Sequence, residues 1–556
     1  MTTHNLQPAQ PLIRRYLFVA AALLAAVYLA CVNDRWYPTP DSALYAGLGR
    51  SLAEGRGYVF NGGVDNTATP GLPAVIAAAR LLTGGDGWWV CNLFITASGL
   101  AALLFIRAVL RKLLPADAPP STNSSPSPPT SRLRDTIASP APAKLSADLA
   151  TLMLAGSFLF FEHSHYILTD IPLVALAWAA FYAALRATHG HWAWLALAAG
   201  LCVAAMTIRA PMAPFLALLA TGLVFGPLPC GTVREGKLSS PHAGETPAPR
   251  AARRRWFAAA VLLAATAVPF AFWYVLGRSI GPLPYVESAT RLTAGFFARA
   301  GEAAWAQAGV MSTFLIGVPS MPWLGLILWP VALLGLAVLW RGFWLGLLVL
   351  VPYTLFIAVI RAADNPDRFM LPVAPLVYLG LTQGVWSLAT AAGHLARARR
   401  NHATTALIVL TAAILLANVV PMAKLVHRMA WLAHTDRYDT EAKRGFVGEH
   451  KKVAELLANE LPEEGRFLAT RGPGRIVYYY SGRPFITPPP HNDGLLGPDD
   501  AQELWNLWQA NPDIRIAVLP WHGRQKHHAY TARIAELFAS ERELHRGNTM
   551  IVFERR

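Results

Sequence analysis

The sequence predicts an all-α polytopic membrane protein with about 11 transmembrane helices and a small C-terminal α/β soluble domain. Only 15% of its 556 residues are charged and 54% are hydrophobic, whereas about 25% of the residues of an ordinary soluble domain are charged. Apolar runs close to the ~20 residues that a helix needs to cross a bilayer recur between residues 16 and 426. These observations exclude a disordered chain and argue against a wholly soluble protein.

The positive charge of the chain lies in its apolar part. Lys and Arg number 48 against 33 Asp and Glu, which gives a net charge of +15. Residues 437–556 carry 17 basic and 16 acidic residues, so residues 1–436 hold +14 of that excess. Because the excess lies among the apolar runs, it indicates membrane topology, and no nucleic-acid partner is expected.

The basic residues cluster in particular loops. Six basic and two acidic residues occur in 107–146, the same numbers occur in 227–256, and three arginines lie within 397–400. Cytoplasmic loops carry the excess of Lys and Arg, so these loops and the N-terminus are predicted to be cytoplasmic. The segments 33–85 and 277–320 and the C-terminal region then lie on the outer face of the cell (inner) membrane.

Polar loops separate the predicted spans. In chain order the spans are 16–32, 86–110, 145–161, 167–185, 192–208, 211–225, 256–276, 321–340, 343–360, 369–388 and 403–426. No small-residue cleavage site follows the first run, which predicts an uncleaved span and not a signal peptide. The Pro-rich or polar segments 115–135 and 229–255 cannot bury a core and are predicted to be flexible cytoplasmic linkers. The four cysteines are scattered and indicate neither a disulfide framework nor a zinc cluster.

The sequence after residue 436 switches to the pattern of a soluble domain. Helical stretches such as KKVAELLANEL and DDAQELWNLWQA alternate with the strand-like GRFLAT, RPFIT, IRIAVLP and NTMIVFE. This alternation predicts a polytopic domain, 1–436, followed by an extracytoplasmic α/β domain, 437–556. The glycine-rich RGPGR at 471–475 lacks the downstream pattern of a nucleotide-binding loop and is predicted to be a turn.

The first outer loop, 33–85, contains two short apolar segments with helical spacing, 42–54 and 70–82. Both are too short to span a bilayer, so two interfacial helices are predicted. Asp41 stands at the start of the first helix, where its carboxylate either caps the helix or has a chemical role.

This loop resembles the first external loop of the GT-C membrane glycosyltransferases, above all the protein O-mannosyltransferase and aminoarabinose-transferase type, which use polyprenyl-phosphate-linked sugars. The resemblance rests on Asp41, Tyr45, Ala46, Leu52, Gly55, Gly57 and Tyr58, followed by TPGLPAVIA and a closing Leu-Thr-Gly. The Thr-Pro-Gly at 69–71 departs from the Pro-Pro pair that is common in the family. The resemblance implies a GT-C fold, Asp41 as the catalytic base and Tyr45 in the substrate site.

A second polar group occupies the short outer turn before the fourth span. Glu162, His163, His165 and Asp170 crowd into nine residues at the edge of the hydrocarbon, where ionisable groups are costly and are usually functional or paired. In the family that this chain resembles, an acidic residue precedes the proline that opens the next span, and Asp170 matches it. Asp170 therefore either acts in catalysis or caps the span, and the other three are expected in the substrate site. The residues indicate no particular cofactor. A divalent cation is an open alternative, although His163 and His165 would face opposite ways on a helix.

Arginines are predicted at the same outer edge. Arg209 lies between two spans, and Arg361 and Arg368 flank the outer turn of VIRAADNPDRFMLPVAPLVYLG. A guanidinium suits the phosphate of a lipid-linked donor because it binds two oxygens as a fork. The Arg-Phe pair at 368–369 resembles the family's late Arg-aromatic motif. Arginines at span ends also reach lipid headgroups without specificity.

These residues predict a glycosyltransferase of the outer membrane face that transfers a sugar from a polyprenyl-phosphate donor with inversion. The expected partners are that donor, membrane lipids and an acceptor protein, lipid or glycan. A multi-span transporter or lipid-linked-sugar flippase also explains many spans, but its ionisable residues usually lie near mid-span. A membrane scaffold for a partner-binding outer domain leaves the polar crowding at 162–170 unexplained.

Overall fold

The computed structural model describes residues 9–114, 143–188, 191–210, 215–217, 247–280, 305, 309–313, 315–317, 321–339, 366–395, 401–431, 446–488, 498–521, 528–547 and 549–556. The predicted span 343–360 lies outside these residues, as does all of 211–225 except 215–217. Arg361 also lies outside them.

Helices dominate the part of the chain before residue 432. They are α1 (Ala9–Ala30), α2 (Pro40–Ala53), α3 (Gly71–Thr83), α4 (Trp88–Leu113), α5 (Ala143–Ala155), α6 (Phe158–His163), α7 (Asp170–Ala187), α8 (Ala193–Ile208), α9 (Pro247–Ile280), α10 (Pro322–Val338), α11 (Pro366–Met370), α12 (Ala374–Leu395) and α13 (Asn401–Val426). A small hairpin of β1 (Val59–Phe60) and β2 (Gly63–Val64) lies between α2 and α3.

Several of these helices have the length and composition of membrane spans. Among the described residues four are long and apolar enough to cross a bilayer: Trp88–Lys112, Asp170–Ala187, Arg253–Ile280 and His402–Ala430. Large apolar side chains such as Phe18, Leu104, Phe272 and Leu416 are exposed on the helices of this part. Exposed apolar surface of this kind is stable next to the acyl chains of lipids and not next to water. The prediction of a mostly helical membrane protein is confirmed, and the total of about 11 spans stays a prediction.

Two segments differ from the sequence prediction. The span predicted over 145–161 is interrupted between α5 and α6 at Gly156, where a Cβ atom would lie 2.2 Å from a Leu415 methyl carbon. The new helix starts there because the Ser157 hydroxyl accepts the Phe160 N–H and the Asn418 side chain accepts the Phe158 N–H. The end of the predicted linker, 247–255, is also helical and forms the first turns of α9.

Close packing of α10 on α12 determines where α11 lies. A Cβ atom on Gly335 would lie 1.8 Å from the Gly380 carbonyl oxygen and 2.4 Å from the Gly384 nitrogen, so the two backbones touch. The chain between α11 and α12 is a short turn, whose Pro372 carbonyl accepts a 3.1 Å hydrogen bond from the buried Trp178 indole. These contacts hold α11 near the start of α7, where Phe369 lies against the partner of Asp170.

The C-terminal region is an α/β unit. Its elements are α14 (Phe446–Glu460), β3 (Phe467–Ala469), α15 (Arg471–Ser481), β4 (Phe485–Ile486), α16 (Pro498–Ala510), β5 (Ile516–Pro520), α17 (His528–Leu537), β6 (Arg542–Arg546) and β7 (Met550–Glu554). The strands form one sheet in the order β4-β3-β5-β7-β6, parallel from β4 to β5 and antiparallel beyond. The C-terminal sheet expected from the sequence is thus present, with β6 as an additional strand.

The two faces of this sheet are covered differently. Trp508, Tyr530 and Phe538 of the α16–α17 layer cover one face. The other face packs against α14 and α15, and it shares its hydrophobic core with Leu44 and Leu48 of α2. The first outer loop is therefore built into the core of the C-terminal unit.

We predict that Gly335→Ala destabilises the protein, because the added methyl group meets the backbone of α12 and forces α10 and α12 apart. Overpacking of this kind costs about 1–3 kcal/mol or more, which thermal unfolding of the purified protein in detergent would detect. Gly393→Ala is the matched control, since a Cβ atom on this residue of α12 meets nothing within 4 Å. Equal unfolding temperatures for the two variants would contradict this packing.

Candidate active site

The start of α2 shows that Asp41 is not a helix cap. Thr39 is the N-cap: its hydroxyl accepts the Ser42 N–H at 3.1 Å, and the Ser42 hydroxyl accepts the Thr39 N–H at 2.7 Å. Pro40 occupies the first helical position, where no N–H is required. The capping interpretation of Asp41 is therefore wrong, and its carboxylate remains available for other partners.

The partners of Asp41 are two arginines from distant parts of the chain. Arg368 of α11 places its Nη2 2.7 Å from Oδ2, and Arg475 of α15 places its Nη1 3.2 Å from Oδ1. Each arginine thus contacts a different oxygen of one carboxylate. The three side chains are between 10% and 22% exposed, so water screens this cluster only in part.

Charge keeps Asp41 ionised despite its burial. Burial alone raises the pKa of a carboxyl group, but Arg368 and Arg475 outweigh this effect and hold the pKa of Asp41 well below its ordinary value. Arg209 lowers the same pKa further.

A second ion pair lies deeper. Arg209 Nη1 is 2.7 Å from Asp170 Oδ1 and donates a second hydrogen bond, of 3.0 Å, to the Thr169 hydroxyl. Both charged side chains are about 5% exposed. Asp170 is the first residue of α7, where the helix dipole favours a negative charge. Arg209 directly follows α8. Its φ of −157° is extended and not helical, so α8 ends at the ion pair with Asp170.

Phe369 links the two ion pairs. The guanidinium carbon of Arg209 lies 4.9 Å from the centre of its ring, and that of Arg368 lies 5.2 Å from the same centre. The Tyr45 hydroxyl lies 3.5 Å from the Thr169 hydroxyl, which brings α2 to the start of α7. We call Asp41, Asp170, Arg209, Arg368 and Arg475 the arginine–aspartate cluster.

The remaining predicted residues surround this cluster in different ways. His163 is buried and interacts electrostatically with Asp170 and Arg368; burial lowers its pKa to about 4, so it is neutral at pH 7. Glu162 accepts a 2.9 Å hydrogen bond from the Tyr166 hydroxyl. His165 places its two ring nitrogens 2.7 Å and 3.1 Å from backbone carbonyl oxygens of α6 and α1. It therefore anchors the turn to α1.

The chain between α6 and α7 is a turn and not a continuous helix, so the faces that a helix would give to these residues do not apply. Among the described residues, no group of three or more His, Cys, Asp or Glu side chains is arranged to hold a metal ion. The carboxylates of Asp41 and Asp170 are instead engaged by guanidinium groups. The alternative of a divalent cation stays a prediction.

Arg475 is the member of the cluster that the sequence interpretation missed. The RGPGR motif that contains it was expected to be a turn, but it forms the first turn of α15, after Thr470. The expectation is wrong because Ile476 and Val477 are buried, and this burial outweighs the local preference of glycine for a turn. The sequence did contain a signal: Arg475 directly precedes the apolar residues Ile476 and Val477. A charged side chain in an apolar segment is rarely buried unless it is paired.

Several contacts fix α15 against the first outer loop. The ring of Tyr479 lies edge-on to Trp36, 4.5 Å between centres, and under the Arg50 guanidinium at 4.2 Å. Asn61 accepts the Phe485 N–H at 2.7 Å and donates to the Phe485 carbonyl at 2.8 Å, so it covers the edge of β4. Arg475 therefore reaches Asp41 from a firmly docked helix.

Comparison with known proteins identifies the architecture. The chain matches the crystal structure of ArnT from Cupriavidus metallidurans in the apo state with a TM-score of 0.52 and 13% identity, over 97% of this chain and 98% of that one. The same protein bound to undecaprenyl phosphate matches with a TM-score of 0.51, 14% identity and 97% coverage of both chains. The chain has the GT-C fold. This confirms the fold that the first outer loop implied.

An archaeal oligosaccharyltransferase, AglB from Archaeoglobus fulgidus, matches with a TM-score of 0.46 and 12% identity, over 91% of this chain and 69% of that one. No protein-family model matches the sequence. No curated protein matches it either.

We predict that Asp170→Asn destabilises the protein by about 3–5 kcal/mol, because it breaks a buried ion pair by removing the carboxylate that faces Arg209. Thermal or denaturant unfolding of the purified protein measures the loss. Asp34→Asn is the control, since the Asp34 side chain is 69% exposed and its ion pair with Arg35 is at the surface; such a pair contributes about 0–1 kcal/mol. If both variants unfold alike, the pair is not a stabilising element.

We predict a pH-dependent contribution of Asp41 to stability. Its pKa is lower in the folded protein than in the unfolded chain, where it is about 3.9, so its stabilisation is complete above that pH and is lost as the pH falls below it. The difference in unfolding temperature between wild type and Asp41→Asn should be constant from about pH 5 to 8 and shrink below about pH 4. A difference that grows towards acid pH would reverse the assigned sign.

Proposed function

We propose that this chain is a membrane glycosyltransferase that transfers a sugar from a polyprenyl-phosphate-linked donor to an acceptor on the extracytoplasmic face of the cell membrane. The acceptor carries a hydroxyl or similar nucleophile on a protein, lipid or glycan. The arginine–aspartate cluster is the observation that carries the proposal, since it combines carboxylates and guanidiniums at the start of a helix that can span the bilayer. The GT-C fold supports the proposal, and the ArnT structure of that fold contains undecaprenyl phosphate.

In this reaction the acceptor oxygen attacks the anomeric carbon as the bond between that carbon and the phosphate oxygen breaks. Asp41 takes the acceptor proton, and the products are the glycosylated acceptor and polyprenyl phosphate. A single displacement inverts the anomeric configuration. Arg368 stabilises the negative charge that develops on the departing phosphate, where incomplete screening makes a guanidinium effective.

Asp170 acts through Arg209. Their 2.7 Å contact, together with the hydrogen bond to Thr169, holds this guanidinium in one orientation next to Phe369. Arg209 then adds positive potential at the phosphate position without moving during the reaction. Asp170 is in this proposal a positioning residue.

The orientation follows from the distribution of charge. The basic loops 107–146 and 227–256 are assigned to the cytoplasm, so the N-terminus is cytoplasmic and the C-terminal unit is extracytoplasmic. The cluster then lies on the outer face, because Arg475 belongs to that unit.

We predict that membranes with the wild-type protein release polyprenyl phosphate from a lipid-linked sugar donor, and that Asp41→Asn lowers this rate by about 10²–10⁴-fold because no base accepts the proton. Lipid extraction and mass spectrometry measure the released lipid, and comparison of surface glycans names the sugar and the acceptor. Asp34→Asn should keep the wild-type rate. A transporter or flippase would release none with any variant, which would refute the proposed reaction.

A further inference from the structure

One carboxylate in the arginine–aspartate cluster holds two guanidiniums. Arg368 and Arg475 contact the two oxygens of Asp41, while Asp170 is matched to Arg209. Two like charges this close to one another need an anion between them, and in this structure Asp41 is that anion.

The same guanidinium groups suit a phosphate. A carboxylate and the phosphodiester of the sugar donor compete for the same N–H groups, because each offers one negative charge shared over two oxygens. The phosphate monoester that the reaction releases has more charge and one more oxygen to offer. Arg475 is 10% exposed, and its helix is fixed by Tyr479 against Trp36 and Arg50. The C-terminal unit therefore holds this arginine in a fixed position on a docked helix and not on a surface loop.

The state of Asp41 conflicts with a role as base. A carboxylate that accepts from two guanidiniums is a weak proton acceptor, since its pKa is held well below the ordinary value. The proposed reaction requires that Asp41 lose these partners before the acceptor arrives.

We infer that Arg368 and Arg475 exchange Asp41 for the donor phosphate, so that donor binding frees Asp41 to take the acceptor proton. Arg475 is then a phosphate ligand that the C-terminal unit supplies, and Asp41 keeps its place until the donor binds. This inference rests on the proposed function, because it assigns the phosphate of the same donor. It orders the reaction, with the donor binding before the acceptor is deprotonated.

The exchange predicts opposite effects for two variants on the binding of undecaprenyl phosphate. Arg475→Gln removes a ligand and should weaken binding by about tenfold or more. Asp41→Asn removes the competitor and should strengthen binding by about tenfold, although it slows transfer. Arg475→Lys keeps the charge without the fork and should lie between wild type and Arg475→Gln.

Equilibrium binding to the purified full-length protein in lipid nanodiscs tests these effects, with undecaprenyl phosphate as the probe and undecaprenol as the uncharged reference. Undecaprenol should bind all variants equally. Arg515→Gln is the matched control, because Arg515 belongs to the same unit but pairs with Glu554 and is 60% exposed. Thermal unfolding establishes that each variant is folded, and if Arg475→Gln is not, Arg475→Lys and Asp41→Asn decide the result.

Two negative results have different meanings. Wild-type affinity for undecaprenyl phosphate in Arg475→Gln, or weaker binding in Asp41→Asn, would overturn the exchange and leave Arg475 a structural partner of Asp41. If wild type does not distinguish undecaprenyl phosphate from undecaprenol, the proposed donor class itself fails, and the exchange fails with it.

Discussion

The carboxylate of Asp41 joins two guanidiniums that would otherwise repel one another. Arg368 comes from α11, a short helix within the membrane part, and Arg475 comes from the C-terminal α/β unit. Water screens the two guanidiniums only in part, so the carboxylate lowers the electrostatic cost of bringing them together. The carboxylate therefore supports the meeting of the membrane helices and the C-terminal unit, together with the apolar contacts and the polar contacts of Arg50 and Asn61.

The helix that carries Asp41 serves both halves of the chain. Its buried face packs with the membrane part through Ala43 and Ala46, and its Leu44 and Leu48 complete the core of the C-terminal sheet. Thr39 and Ser42 cap the start of this helix, so the carboxylate of Asp41 is needed for neither capping nor packing. Apolar contacts on both sides of the helix thus fix the position of the Asp41 carboxylate, and its charge remains available for a chemical role.

The deeper pair of Asp170 and Arg209 has a different character. It is almost wholly buried and held by a helix start, a helix end and the Thr169 hydroxyl. A group held this firmly does not reorganise when charge develops beside it, which is what electrostatic stabilisation of a leaving phosphate requires. The outer pairs of Asp41 are more exposed and suit a group that changes partners. The Phe369 ring separates the two kinds of ion pair and contacts a guanidinium of each.

The sequence by itself determined the membrane character, the C-terminal α/β unit and the presence of Asp41, Asp170, Arg209 and Arg368 near span ends, because hydropathy, charge and short motifs are local properties. Only the tertiary structure decided which carboxylate meets which arginine. Asp170 and Arg209 are 39 residues apart and Asp41 and Arg475 are 434 apart, and no spacing rule connects such positions. The RGPGR motif shows the same limit: its glycines favoured a turn, whereas burial of the following residues against the sheet made it a helix and carried Arg475 to the site.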